Sequence, residues 1–297
     1  RAAAFPSLLE EETFAHDLGR KIVEIVNKEE KPIDFIALGE RLADFTDMKS
    51  DNYDPDLFLP NSRFPEEELD IKRTVNLWIS EIFSYFGIPD SARDSAEDLG
   101  LITVEYQLEE NEISDFHSLL NYSGLSLQDT TVVLQVLLSF IRQRKAFTLP
   151  KGRVHHSDPA FGRVTADIAY VLRRDGEKLQ GKYIEGWLPR INKDKSYRDN
   201  YITSYLRRLL RLSPQETLKT AEDIWNYLTS KYLLLKSKDT WKLDHERLLV
   251  KKSSSRYYCS QCGYVTAYSA QQCCSRKNCI GVLNPCPFDA LKENIIA

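Results

Sequence analysis

The sequence predicts a mainly helical α+β chain: a helical domain followed by a winged helix and a small C-terminal zinc ribbon. Three observations carry that expectation. Apolar residues recur at three- and four-residue spacing through most of the first 145 positions, a capped helix pair runs into a short hairpin pattern near residue 230, and all six cysteines fall within the last 39 residues. Four segments follow from them: an acidic helical domain at 1–145, a strand-rich bridge at 146–195, a winged-helix-like domain at 196–252 and a four-cysteine ribbon at 253–297.

In chain order, Leu8, Leu9, Phe14, Leu18, Ile22, Ile25 and Val26 make one helical stripe, with Glu10, Glu11 and Glu12 in the first turn, where the helix dipole favours anions. Residues 34–45 repeat the pattern with Phe35, Leu38 and Leu42. Pro55, Pro60 and Pro65, interleaved with Asn52, Asp54 and Asn61, mark 49–65 as an ordered loop. A long helix is expected over 66–86 on Leu69, Val75, Trp78, Ile79, Ile82 and Phe86, and a strand over 101–108. Two more helices are predicted at 113–122 and 127–144, the second opened by Ser126 as its N-cap. Arg142, Arg144 and Lys145 at its end suit the negative end of a helix dipole, which is reading enough for that basic run.

Candidate strands at 146–149, 164–172 and 183–188, with an Asp175-Gly176 turn, give the bridge. A helix over 197–212 then carries Tyr201, Tyr205, Leu209 and Leu212 on one side, with Arg198, Arg207, Arg208 and Arg211 around the rest. Ser213-Pro214-Gln215-Glu216 is a capping box with Pro at the first helical position, opening a helix to about residue 227–231. Residues 232–236, a Ser237–Thr240 turn and 241–243 form a hairpin whose tip bears Lys236, Lys238 and Lys242. Helices followed by a lysine-tipped hairpin is the order of a winged helix, in which cations meet phosphates. The same order also serves protein–protein adaptors.

Cys259-Ser-Gln-Cys262 is a C-x2-C knuckle, and Cys274-Ser-Arg-Lys-Asn-Cys279 supplies a C-x4-C partner; four thiolates so spaced can wrap a tetrahedral Zn²⁺. The surrounding stretch has few large apolar residues, so a structural zinc would supply stability that burial cannot. Disulfides are the rival reading, and they sit less naturally behind 258 residues that contain no cysteine. Cys273 and Cys274 are adjacent, so one of them is expected to stand outside the site; the shorter knuckle favours Cys274, and the choice stays open here. Cys286, seven residues beyond Cys279, is expected to be a bystander. A closed four-cysteine site keeps no open position for a substrate, so its metal reads as structural.

The composition, 42% apolar and 28% charged over 297 residues, is that of an ordinary globular protein. No apolar run has the length of a membrane span, so no membrane partner is expected. The start Arg-Ala-Ala-Ala-Phe-Pro is neither an initiator methionine nor a signal peptide, and the only methionine is Met48; the expectation is a piece of a longer, cytoplasmic protein. The net charge of −4 hides an asymmetry: residues 1–120 carry 28 acidic and 11 basic side chains, residues 121–297 carry 16 and 29. The basic half is the footprint expected of phosphate contact, with Arg198, Arg207, Arg208, Arg211, Lys236, Lys238 and Lys242 as the candidate residues. Trp225, Trp241, Tyr257 and Tyr258 suit stacking on bases, although each also suits core packing.

Catalytic motifs are missing from the chain. Gln180-Gly181-Lys182-Tyr183 lacks the first glycine and the hydroxyl residue of a phosphate loop, His155-His156-Ser157-Asp158 lacks the spacing of a zinc protease motif and reads as a surface loop, and Asp244-His245-Glu246 has no nucleophile motif.

The ending from Tyr257-Tyr258-Cys259 through Cys262, Cys274, Cys279-Ile-Gly-Val-Leu283 to Glu293-Asn294 resembles the zinc ribbon in the C-terminal accessory region of large bacterial DEAD/DEAH-box helicases of superfamily 2. Residues 196–250 resemble the winged-helix-like segment that precedes it. The likeness covers about the final hundred residues, and only Cys259, Cys262, Cys274 and Cys279 match a functional pattern. Several such helicases belong to phage-defence or DNA-modification systems. The resemblance implies a non-catalytic accessory region, braced by Zn²⁺, that grips single-stranded or forked DNA non-specifically beside the ATPase motor domains of the same parent chain. No Walker loop or DEAD/DEAH box occurs here, so ATP binding would belong to the parent chain alone. The alternative expectation is a protein–protein interaction module in a multi-subunit DNA-processing or antiviral defence complex, holding a partner subunit and never touching DNA.

Overall fold

The computed structural model describes residues 11–45, 71–87, 95–154, 168–174, 183–194 and 196–286. Among them are seven α-helices and three small sheets, a mixed α+β arrangement. The expected loop at 49–65, the Asp175-Gly176 turn and the His155-to-Asp158 cluster lie outside the described residues.

Helices α1 (Glu11–Lys28), α2 (Phe35–Phe45) and α3 (Ile71–Gly87) pack through the predicted stripes, burying Leu18, Ile22, Leu38, Leu42, Ile79, Ile82 and Phe83. Phe35 meets Phe83 edge-on at 5.2 Å and stacks on Phe86 at 5.1 Å. Next come β2 (Ile102–Tyr106), α4 (Glu110–Leu119) and α5 (Leu127–Arg142). Ser126 caps α5 by accepting from the Asp129 amide. This helix stops at Arg142, two residues short of expectation, because its last turn is buried. The Arg142 side chain is 1% exposed and donates to the Phe86 carbonyl and to Glu97 Oε1, and Lys145 turns the chain with φ 58°.

Among the described residues of the predicted bridge, β3 (Ala169–Val171) and β4 (Ile184–Gly186) pair in parallel. Residues 146–149 make a single bridge, Phe147 to Leu243, in place of the expected strand. Helix α6 (Tyr201–Leu210) is shorter than expected at both ends. Asn200 caps it by accepting from the Thr203 amide while donating to the Trp187 carbonyl, and Arg211 closes it in the left-handed region at φ 54°. Helix α7 (Pro214–Ser230) begins with the predicted Ser213–Glu216 capping box. The hairpin of β5 (Leu234–Ser237) and β6 (Thr240–Leu243) follows, with Lys238 at its turn at φ 57°.

The sheets cross the segments that the sequence suggests. Strand β6 extends the hairpin onto β3, in the order β4-β3-β6-β5. Strand β7 (Leu248–Lys252) lies between β1 (Ile33–Asp34) and β2, antiparallel to both. One buried apolar cluster therefore runs from Leu18 to Ala270. Five ion pairs also join the acidic half to the basic half among the described residues: Glu97 with Arg142, Glu40 with Arg153, Asp115 with Lys231, Glu112 with Arg247 and Glu105 with Lys251.

Helices α2 and α3 meet at Gly39, where an added Cβ would lie 2.7 Å from both Cα and Cγ1 of Ile79. The helices must part to admit it. Gly39→Ala is expected to destabilise the chain by about 1–3 kcal/mol despite alanine's better helix propensity, seen as a lower midpoint in urea unfolding.

Candidate metal centre

The C-terminal module is built from β8 (Tyr257–Cys259), β9 (Val265–Thr266) and β10 (Leu283–Pro285), with β8 in the middle. Its own buried apolar set is Cys259, Cys274, Cys279 and Leu283, with Tyr257 and Tyr264 packed against them. Three of those four residues are cysteines, so with their thiols unligated the module has almost no hydrophobic core.

The sulfurs of Cys259, Cys262, Cys274 and Cys279 all lie within 4.8 Å of one another. Cys259 and Cys279 are 3.5 Å apart, and Cys262 and Cys274 are 3.8 Å apart. A tetrahedral zinc with Zn–S bonds of about 2.3 Å separates its sulfurs by about 3.8 Å. A disulfide requires about 2.05 Å. The four cysteines are thus close enough to hold a metal ion, and their separations match a shared ion and not a bond.

Two local features shape the knuckles. Gly263 turns the first one at φ +68° and donates its N–H to the Cys259 carbonyl at 3.0 Å. Gly281 packs so close that a Cβ there would fall 2.5 Å from Cys259 Sγ, and its N–H points at Cys279 Sγ at 3.4 Å. Burial works against ionising Cys259, but hydrogen bonds from the Cys262 and Gln261 amides and from the Cys262 and Cys279 thiols together outweigh it and bring the thiol down to about 7. Burial pushes the Cys274 thiol up, and a cation at the site would favour its thiolate.

The choice between the adjacent cysteines is resolved by alternation along an extended backbone. Cys273 bridges to Val282 and packs against the main core, while the next side chain, Cys274, turns into the sulfur cluster and is fully buried. Cys286 stands outside the cluster.

Arg208 joins this module to the rest of the protein. Its guanidinium donates to the carbonyls of Cys274 and Arg276, at 2.9 Å each, and to that of Cys279, while its Nε holds the Ser204 carbonyl of α6. Ser204 Oγ accepts from the Asn278 amide at 3.0 Å. Arg208 is thus engaged with the backbone of the second knuckle and of α6. Arg207 is similarly engaged, paired with Asp199 at 2.7 Å and donating to Tyr197 Oη at 2.6 Å.

The other five predicted cations are placed differently. Arg198, Arg211, Lys236 and Lys238 are exposed, and they make no ion pair among the described residues. Lys236 rests over the Trp241 ring at 5.8 Å. Lys242 is half-buried, and burial lowers its pKa. Trp225 is core, fully packed between Trp187 and Trp241. His245 is also a structural residue, buried with its Nδ1 2.8 Å from Thr148 Oγ1. Arg276 and Lys277, which carry no signal in the sequence, and Arg144, expected only to suit a helix dipole, lie over tyrosine rings: Arg144 and Lys277 over Tyr201, and Arg276 over Tyr264. Only a three-dimensional contact identifies them, since the partners of Arg144 and Lys277 are distant in sequence. No helix among the described residues is long and apolar enough to cross a membrane.

Serine at Cys259, Cys262, Cys274 or Cys279 is expected to abolish tight metal retention, whereas Cys273→Ser and Cys286→Ser keep one metal per chain by elemental analysis. Arg208→Ala should keep that stoichiometry but release the metal several-fold faster to a chelator, because the second knuckle loses its carbonyl partners.

No protein-family model, curated protein or solved structure matches the chain.

Proposed function

We propose that this chain is a non-catalytic accessory region of a larger DNA helicase, gripping DNA without base specificity beside the motor domains, with zinc in the four-cysteine site as a structural ion. In this reading α6, α7 and the β5–β6 hairpin act as a winged helix, and the C-terminal module is a zinc ribbon that braces it through Arg208.

The observation that carries the reading is the set of cations left over once the internal pairs are formed. Five of the basic half's side chains are matched by acids of the first half, and Arg207 and Arg208 are held internally. Arg198 and Arg211 remain exposed just beyond the two ends of α6, as do Lys236 and Lys238 on the hairpin. Unmatched cations at separated points on one helix and one hairpin suit successive phosphates, which supply non-specific affinity. The zinc assignment rests on the all-thiolate donor set and its tetrahedral spacing.

On this reading, the affinity of the metal-loaded chain for duplex or forked DNA falls linearly in log–log terms with salt, with a slope near −0.9 for each phosphate neutralised. Lys238→Glu is expected to reduce that slope by about 1 while leaving the fold and metal content intact. Salt-insensitive binding, or none at any ionic strength, removes the nucleic-acid reading and leaves the protein-interaction alternative, which demands a stoichiometric partner that survives nuclease treatment.

A further inference from the structure

The C-terminal end of α5, the start of α6 and the metal module enclose a cavity of about 180 Å³. Its walls include two cation–tyrosine pairs. Arg144 lies over Tyr201 at 5.0 Å, and Arg276 lies over Tyr264 at 4.5 Å. The first pair belongs to α5 and α6, the second to the metal module, and Lys277 of that module reaches back over Tyr201 at 5.7 Å. Tyr201 is 40% exposed, the ring of the set most open to a visitor.

Each element of this wall has a chemical implication. A guanidinium placed over a ring is held near it by the cation–π attraction while it keeps N–H groups that can donate to a phosphate or a base edge. The cavity is a little larger than the roughly 150 Å³ that accommodates a benzene ring in an engineered protein interior. It therefore has room for one planar ring system. Glu185 also lines the cavity; its exposed carboxylate repels a phosphate from that side but accepts from the exocyclic amino group of a base. The other two acids in the wall are already engaged, Glu97 with Arg142 and Asp98 with Ser95.

We infer that this cavity binds one nucleotide unit of an unpaired nucleic-acid strand, with the base inserted against the Tyr201 and Tyr264 pairs and its phosphate on Arg144, Arg276 and Lys277. The inference deepens the nucleic-acid reading above and rests on it. It adds a single-strand preference that exposed cations alone do not give, because stacking requires a base free of its partner.

The test uses the metal-loaded chain and three labelled ligands in fluorescence anisotropy: a deoxycytidine homopolymer, an abasic strand of the same length, and a duplex. Tyr201→Ala is expected to weaken homopolymer binding about fivefold or more. It should leave the abasic strand and the duplex nearly unchanged, and Tyr201→Phe should bind as the parent does. Lys238→Glu should weaken all three ligands alike. If the parent binds and Lys238→Glu weakens it, but Tyr201→Ala has no effect or weakens the abasic strand equally, the base site is overturned and the accessory-region reading survives. If the parent binds none of the ligands, both fall. Should Tyr201→Ala misfold by circular dichroism or metal content, the parent decides with 2-aminopurine in the homopolymer: quenching on binding supports insertion, and unchanged emission overturns it.

Discussion

The second knuckle of the C-terminal module is tied to the rest of the protein through one side chain above all, Arg208. The module that follows residue 253 has a small apolar cluster of its own, three cysteines and Leu283, and touches the main core through Ala270, Tyr268 and Cys273. Arg208 adds a polar tie to that contact. By donating to the carbonyls of Cys274, Arg276 and Cys279 it ties the second knuckle, at the backbone level, to the α6 face that also presents Ser204. A charged donor shared among neutral carbonyls avoids the cost of two opposed buried ions while giving bonds stronger than neutral pairs. The placement of Tyr264, Arg276 and Lys277 relative to Tyr201 follows from this docking.

The charge asymmetry of the sequence acquires a second meaning once the sheets are known. Strand β7 belongs to the basic half, yet it lies between two strands of the acidic half, pairing Val250 with both Ile33 and Val104. Opposite charges then meet at the seam between the halves. Arg247 forks onto Glu112 at 3.0 and 2.6 Å while stacking over Tyr106, and Lys251 sits against Glu105 across the β2–β7 ladder. Part of the basic surplus thus serves the chain's own assembly. Surface ion pairs stabilise weakly, but like charges at each of these points would oppose the pairing. Counting residues by sign overstates the cation available to a partner, and only contacts separate the spent charges from the free ones.

Local signals were legible in the sequence and topology was not. The stripes of α1 to α3, the Ser126 and Ser213 caps and the two-knuckle cysteine spacing are short-range patterns, and the helices they predict lie near their expected positions among the described residues. Leu248–Lys252 gave no such sign. Three apolar residues followed by two lysines have neither a strand's alternation nor a helix's period, because β7 is a short central strand covered by elements distant in sequence. The fate of Arg208 was hidden for a related reason: its acceptors are carbonyls 66 to 71 residues away, and backbone acceptors carry no residue-type signature. The ends of α5 and α6 shifted because tertiary bonds, Arg142 to Phe86 and Asn200 to Trp187, overrode the helical propensity of the flanking residues.

A closed four-thiolate site has no chemistry to offer a substrate, yet its position makes it more than a staple. The residues between its second-knuckle cysteines, Ser275 and Arg276, line the cavity beside Tyr201, and the next residue, Lys277, reaches the Tyr201 ring. The chain from Cys274 to Cys279 has no regular secondary structure to hold these side chains, apart from the turn at Asn278 with φ 59°. Their orientation is set by the sulfurs at either end and by Arg208 in between. Loss of the metal would free both ends of this loop together and so dissolve one wall of the cavity, while the wall built on α5 and α6 stays supported by the main core through Phe140 and Tyr205. A metal held by the four thiolates would therefore be linked to the geometry of the cavity through this six-residue loop.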